Sequence, residues 1–420
     1  MHMIAADDLD LAAFLRPGDR IVCGQLTGEP ATLTGALAAQ AGRIGAMDVF
    51  LGAMLSDTFA ADCAPELRFT SYGAIGTNAR LARAGRLAVL PRHYGALAAA
   101  FDTGEIRADV VLLQAAHGAG GFNLGLTNDY AARAARHASV VLVETHADMP
   151  ETTGAGLPGD VAVTAVIAGR RPPIALPPGT LGAVEQGIAR HVAGLIGDRA
   201  TLQIGIGSIP DAILSGLAGH RDLGIHSGVI TDRVLDLIEA GAVTNAHKTI
   251  DPGVTVTNTV CGTARLNAHV HRNAAVAVLP ASHTHGIGVL AAQDRFVSIN
   301  SAIEVDLTGQ VNAELADGQP VGGVGGLVDF ARGGLAARGG RAIIALPSTA
   351  RKDTVSRIVA RAPRVTLAHS DVDVVVTEHG VADLRNVPVE ARAERLIAIA
   401  DPRFRDMLAR QVRDGGARLN

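Results

Sequence analysis

The stretch LGIHSGVITD, Leu223 to Asp232, places His226, Ser227, Gly228 and Asp232 within seven positions, after a glycine turn and a helical pattern. His, Ser and Asp are the residue types of a relay that activates a hydroxyl nucleophile. Neighbours on a strand point to opposite faces, however, so His226 and Ser227 do not pair with each other. Upstream, LQIGIGSIPDAIL (Leu202 to Leu214) reads as a strand, a glycine turn and a helix start. Gly205 and Gly207 permit close backbone approach there, and Pro210 suits a first helical turn. Free N–H groups in such a turn can hold a phosphate or a developing oxyanion. Pro210 takes the place of the third glycine of GxGxxG, and a plain strand-to-helix turn fits the spacing equally well.

Downstream, GQPVGGVGGLVDFARGG (Gly318 to Gly334) packs seven glycines into seventeen residues. Ordering such a loop costs much backbone entropy, which favours close approach to a substrate over a plain connector. In SINSAIEVDLTGQVNAE, alternation puts Glu304 and Asp306 on one face of an extended segment, either as acid–base carboxylates or as a solvated strand face. HVH at His269–His271 and HTH at His283–His285 have a spacing that suits a metal. With no third ligand in view they read as loop histidines, and no metal is expected.

These motifs sit in alternating elements. DRIVCG, ELRFTSYG, ADVVLLQAA and ASVVLVETH read as buried strands in the first half, and TLTGALAAQAGRI and NDYAARAARHA as helices. ATLQIGIG, DLGIHSG, AAVAVLP, RAIIALPS and DVDVVVTEHG are strands of the second half, and PDAILSGLAGH and DRVLDLIEAGA its helices. The pattern predicts α/β domains whose largely parallel sheets are covered by helices. Pro172-Pro173 and Pro177-Pro178 interrupt it, and a fresh helical pattern follows. The expected domains are residues 1–185 and 186–420.

The 420 residues are 48% hydrophobic and 19% charged, enough to bury two cores, with 49 glycines and only 3% aromatics. A formal net charge of −4 argues against a nucleic-acid surface. The run ARGGLAARGGR reads as a solvated turn. Cys23, Cys63 and Cys261 are far apart, as expected of buried thiols in a reducing compartment. Asp7, Asp8 and Asp10 spoil a secretory signal and no run of 18 apolar residues occurs, so a cytoplasmic protein with no membrane partner is expected.

Taken together, the chain resembles the acetyl-CoA hydrolase/transferase family, which includes the 4-hydroxybutyrate and butyrate–acetate CoA-transferases. GEP at Gly28–Pro30 and THADMPETTG at Thr145–Gly154 carry the resemblance in the first half. LQIGIGSIPDAIL, SINSAIEVDLTGQVNAE, GGVGGLVDFARGG, RAIIALPSTA and VVVTEHGVADLR carry it in the second. The resemblance implies two related CoA-transferase-type α/β domains, acyl-CoA (coenzyme A) as substrate, and a homo-oligomer. In that family a glutamate attacks the thioester, and the CoA thiolate returns to give a glutamyl thioester. An acceptor carboxylate then takes the CoA. By resemblance, Gly205, Ile206, Gly207, Ser208 and Ile209 would approach CoA, and Gly325 and Gly326 would lie at the thioester carbonyl. Leu327 departs from the family, which often has a polar residue there.

The family pattern is histidine, a small hydroxyl residue, glutamate, two apolar residues, a hydroxyl residue and aspartate. This chain has His226, Ser227, Gly228, Val229, Ile230, Thr231 and Asp232, so Gly228 stands at the glutamate position. Losing a tethered carboxylate forfeits an effective molarity of ~10⁵ M or more. A glycine there is expected to leave about a Glu side chain's volume open to an external nucleophile. The expected activity is therefore direct acyl transfer to water (a hydrolase) or to an amine, alcohol or carbanion, with His226, Ser227 and Glu304 as the polar candidates around Gly228. The alternatives are CoA exchange with a displaced nucleophile such as Glu304, and a silent acyl-CoA-binding subunit.

Overall fold

The computed structural model describes residues 3–118 and 120–413. The chain forms two compact units. The first holds the residues up to Pro177 together with Val256–Thr284 and Gln319–Gly325. The second holds Pro178–Thr255, His285–Gly318 and the chain from Gly326 onward. The first crossing falls inside the second proline pair, and two later segments return to the first unit.

In the first unit the main sheet is built from β1 (Met3–Ile4), β2 (Arg20–Cys23), β3 (Met47–Leu51), β4 (Leu67–Ser71), β5 (Leu87–Val89), β6 (Val110–Gln114), β7 (Val140–Thr145) and β8 (Ala165–Ala168). Their order is β1-β8-β7-β6-β2-β3-β4-β5, and every pairing is parallel. All five residues of β6 (VVLLQ) are buried, as a parallel strand covered on both faces requires. Helix α1 (Ala31–Ile44) buries Leu33, Leu37, Ala41 and Ile44, one stripe at helical spacing. Its orphan N–H groups at Thr32 and Leu33 donate to the buried Glu144 carboxylate on β7, at 2.8 and 3.1 Å. Glu29 of the GEP segment is also buried; it accepts from the Ser56 amide and hydroxyl, and burial raises its pKa.

In the second unit, β9 (Thr201–Ile204), β10 (Gly224–Ile230), β11 (Phe296–Ser301), β12 (Arg341–Ala345), β13 (Val374–Thr377) and β14 (Gly380–Asp383) run in the order β10-β9-β11-β12-β13-β14. Only β14 is antiparallel to its neighbour. The helices α2 (Ala183–Ala193), α3 (Ser208–Ser215), α4 (Asp232–Glu239), α5 (Ile287–Ala291) and α6 (Leu327–Ala336) accompany them. Among the described residues, no helix is long and apolar enough to cross a membrane.

Two local expectations are corrected. Of NDYAARAARHA, only Ala131–Ala134 is α-helical. The ARGGLAARGGR run is not a solvated turn throughout, because α6 continues to Ala336 and buries Gly333 and Gly334. Glycine normally weakens a helix interior, but here packing decides. A Cβ at Gly333 would sit 2.6 Å from Leu290 Cβ on α5, and one at Gly334 would sit 2.3 Å from the Arg341 carbonyl oxygen. The second contact is with backbone and cannot rotate away. Gly334→Ala should therefore destabilise the protein by about 2–3 kcal/mol, despite the gain in helix propensity. Urea denaturation checks this; an unchanged midpoint would mean that α6 shifts freely from β12.

Candidate active site

Register lines up the carboxyl edge of the second sheet. Thr201 pairs with Gly224 and Leu202 with Ile225, while Ile204 pairs with Ile299 on the other side. One step further, the second of these registers sets Gly205 beside Asn300. Ligands of parallel α/β sheets bind at this edge. The Asn300 side chain is fixed by a reciprocal amide pair with Gln203, at 3.1 and 3.3 Å. The turn from β9 to α3 is open. A Cβ at Gly207 would meet nothing within 4 Å, and at Gly205 only Pro210 Cγ at 4.0 Å. Gly207 adopts φ +120°, a conformation that favours glycine. Ile206 is 37% exposed, a large apolar side chain left at the edge. Ser208 donates a 3.3 Å hydrogen bond to Glu185, and Ile209 is buried.

Gly228 does not face an empty volume, as its lack of a side chain led us to expect. A Cβ there would lie 3.1 Å from His285 Nε2, 3.2 Å from His285 Cε1 and 3.3 Å from Phe330 Cε2. A Cβ at Gly326 would lie 2.7 Å from both Cδ2 and Nε2 of the same imidazole, and 3.0 Å from Phe330 Cε2. Two glycines, one near the end of β10 and one before α6, thus close on one ring. Phe330 packs on that ring at 4.4 Å between centroids, tilted by 44°. His285 is buried and lies in the bend between two short helices, a loop position as its triplet was read. Burial lowers its pKa to about 3, and the nearby His226 pushes the same way. The ring is neutral at physiological pH.

The sequence candidates have other work. Ser227 is fully buried; its hydroxyl donates to the Ile204 carbonyl at 2.9 Å and accepts from the Ile204 N–H at 3.2 Å, tying β10 to β9. His226, also fully buried, meets the Gln293 amide at 3.3 Å through Nδ1 and turns its ring edge-on to Phe296. Gln293 is itself held by the Ile250 backbone. Glu304 lies on the short strand Glu304–Asp306 of a separate three-stranded sheet, and accepts from Asn312 Nδ2 at 3.0 Å. Arg357 feels its charge. Asp306, the partner proposed for it, serves as a turn anchor for Thr308 and Gln310. Gly325 lies in the first unit, where its carbonyl accepts from the Tyr94 N–H at 2.8 Å.

Sequence reasoning missed His285, Phe330 and Gln293, and also Lys248. The Lys248 ammonium is buried under the start of β10 and donates to the Ile225 and Val254 carbonyls at 2.9 and 2.6 Å. Burial lowers its pKa to about 7. The HTH triplet was the one available signal for His285, but nothing in its spacing points to Gly228.

The depressed His285 pKa has a definite sign. Between about pH 6.5 and 3 the unfolded chain binds a proton at this ring that the folded chain does not. Stability contributed by the neutral ring is full above pH 6.5 and falls as the pH drops. The expected loss from this group between pH 7 and 4 is on the order of 3 kcal/mol. His285→Asn should flatten that slope in urea titrations. An unchanged slope would place the effect on other groups.

The acetyl-CoA hydrolase/transferase C-terminal domain model matches residues 262–412. The 4-hydroxybutyrate coenzyme A transferase of Clostridium kluyveri is 36% identical over 401 residues, covering 94% of both chains. The crystal structure of RipA from Yersinia pestis superposes with a TM-score of 0.89 at 31% identity, over 97% of this chain and 96% of that one. That of a 4-hydroxybutyrate CoA-transferase from Porphyromonas gingivalis does so with a TM-score of 0.80 at 33% identity, over 98% and 97%. With this identity across nearly the whole length, on a fold of helix-covered parallel sheets, the chain belongs to the acetyl-CoA hydrolase/transferase family, and is an enzyme of acyl-CoA transfer or hydrolysis.

Proposed function

We propose that this enzyme passes the acyl group of an acyl-CoA directly to an external nucleophile, instead of exchanging CoA between two acids through a glutamyl thioester. The observation that carries this reading is Gly228. By resemblance it stands at the position of the nucleophilic glutamate, and the direction a side chain would take from it runs into His285 and Phe330. Backbone N–H groups at Gly205–Ile209 and at Gly325 and Gly326 would serve the CoA and the thioester oxyanion. Preorganised donors of that kind lower a barrier by about 3–4 kcal/mol. A homo-oligomeric, cytoplasmic enzyme belongs to the same reading.

The names of the relatives favour a second reading, CoA exchange with another carboxylate as nucleophile. Glu304 is the candidate, although Asn312 already engages it. The purified protein, incubated with a panel of acyl-CoAs with and without acetate and pooled amines, separates the two by mass spectrometry. Direct transfer releases free CoA with an acylated acceptor or free acid, and no adduct on the protein. Acetate-dependent new acyl-CoA, with a borohydride-trappable adduct, would overturn it.

Reinstalling the carboxylate gives a sharper prediction. Gly228 has no left-handed φ, so Gly228→Glu is allowed by the backbone but meets the imidazole. Alone it should cost about 1–3 kcal/mol from overpacking and gain no CoA exchange. Combined with His285→Ala it should recover stability and acquire acetate-dependent exchange, a strongly non-additive pair. Additive stabilities in thermal melts would show that the two positions do not compete for space.

A further inference from the structure

We propose that the amino edge of the second sheet carries a binding site for a small-molecule di- or triphosphate, at the end opposite the β9–α3 turn. The inference does not depend on the direct-transfer reading. Thr201 pairs with Phe296 and Val297 with Arg341, so β9, β11 and β12 all start at this edge. The segments that lead into these starts enclose a cavity of about 350 Å³, lined by Arg199, His247, Asp294, Arg295, Arg338 and Gly339. A second cavity of about 450 Å³ shares Arg295 and Gly339 with it and is lined further by Leu195, Ile196 and Arg341. Both volumes fall in the range of small-molecule sites. Arg199, Arg295 and Arg338 are all exposed, so a ligand can reach them.

Charge and backbone conformation both point to an anion. Three guanidinium groups line the first cavity with a single carboxylate, Asp294. Arg338 engages that carboxylate through Nε at 3.0 Å and through one terminal nitrogen. Among the described residues, neither Arg199 nor Arg295 has a side-chain hydrogen bond or a close ion pair. The first unit shows the ordinary arrangement at a strand start. There Arg20 of β2 forks onto Asp109, next to the start of β6, through two 2.7 Å hydrogen bonds. Arg199 and Arg295 also hold φ at +66° and +54°, a left-handed backbone that side chains rarely adopt. Strain kept at two unpaired cations beside one cavity is an argument for function. A guanidinium presents paired N–H donors that match two phosphate oxygens. A monocarboxylate offers one such edge, whereas a di- or triphosphate offers several, enough to occupy all three arginines. The second cavity, with Leu195 and Ile196 in its wall, then takes the group that the phosphates carry.

The test is isothermal titration calorimetry of the full-length protein with pyrophosphate, ADP, ATP, adenosine and citrate. The expected result is one saturable site for the phosphate probes, weakened by added salt, with no binding of adenosine. Tighter binding of the nucleotides than of pyrophosphate would assign the second cavity to the nucleoside; equal binding would assign the site to the free phosphate chain. Arg199→Gln and Arg295→Gln should each weaken binding about tenfold or more. The double variant Arg199→Gly with Arg295→Gly should lose the site while Tm stays level or rises, because glycine accepts positive φ without strain. Its affinity for CoA should stay within about twofold of the wild type. A parallel loss of CoA affinity would give the arginines to the CoA site and overturn a separate one. A large fall in Tm would make them structural and overturn the proposal as well. So would a phosphate site that survives in the double variant, citrate or adenosine binding as tightly as ADP, or no saturable phosphate binding at all.

Discussion

The rest of this site depends on one steric constraint: the His285 imidazole crowds any side chain at position 228 or 326. A Cβ at Gly228 or Gly326 would press on the ring, and Phe330 packs against it at a tilt. It therefore limits which residues positions 228 and 326 tolerate. A protein interior is densely packed, so a side chain at position 228 is accommodated only if the His285 and Phe330 rings give way by a few tenths of an ångström. The two glycines are the counterpart of the buried ring, and the three positions form one structural unit drawn from three separate segments of the chain.

A second constraint is the parallel register, which carries the strand ends of β9, β10 and β11 to one edge. The polar side chains near that edge are mostly occupied in holding it. Ser227 bridges β10 to β9, Gln203 and Asn300 hold β9 to β11, and His226 meets Gln293. Buried polar groups need such partners, since leaving one unpaired costs about 1–3 kcal/mol. The residues that look most chemical in the sequence are thereby committed to rigidity. What remains open to a ligand is backbone in the β9–α3 turn.

The elements were readable because periodicity reports burial. Runs such as VVLLQ and VVVT, short and rich in β-branched residues, read as covered strands, and the stripe on α1 reads as a helix face. The glycine turn before α3 was equally plain, since a strand pattern, two glycines and a proline have few other solutions. Periodicity does not say which neighbour fills a gap. Gly228 marked a missing side chain, but the residue occupying that space lies in a distant segment, within a histidine triplet that reads as a loop. The same limit misplaced the end of α6. Gly333 and Gly334 argue locally for a turn, and only Leu290 and the Arg341 carbonyl, again remote in sequence, make a glycine-bearing helix the better packing.

On the direct-transfer reading, the energetics require more of the acceptor than a place to enter. A tethered carboxylate brings its own effective concentration, ~10⁵ M or more, and a general base restores only about 10²- to 10⁴-fold. The balance has to come from holding the acceptor against the thioester carbon, or from an acceptor so abundant that it needs no holding. Water satisfies the second condition, and its small size suits a position hemmed in by His285 and Phe330. A larger alcohol or amine would have to approach along the open side of the sheet edge, past Ile206 and the β9–α3 turn, where the structure leaves apolar surface exposed. The choice between hydrolase and acyltransferase therefore turns on whether that exposed turn binds only CoA or also part of the acceptor.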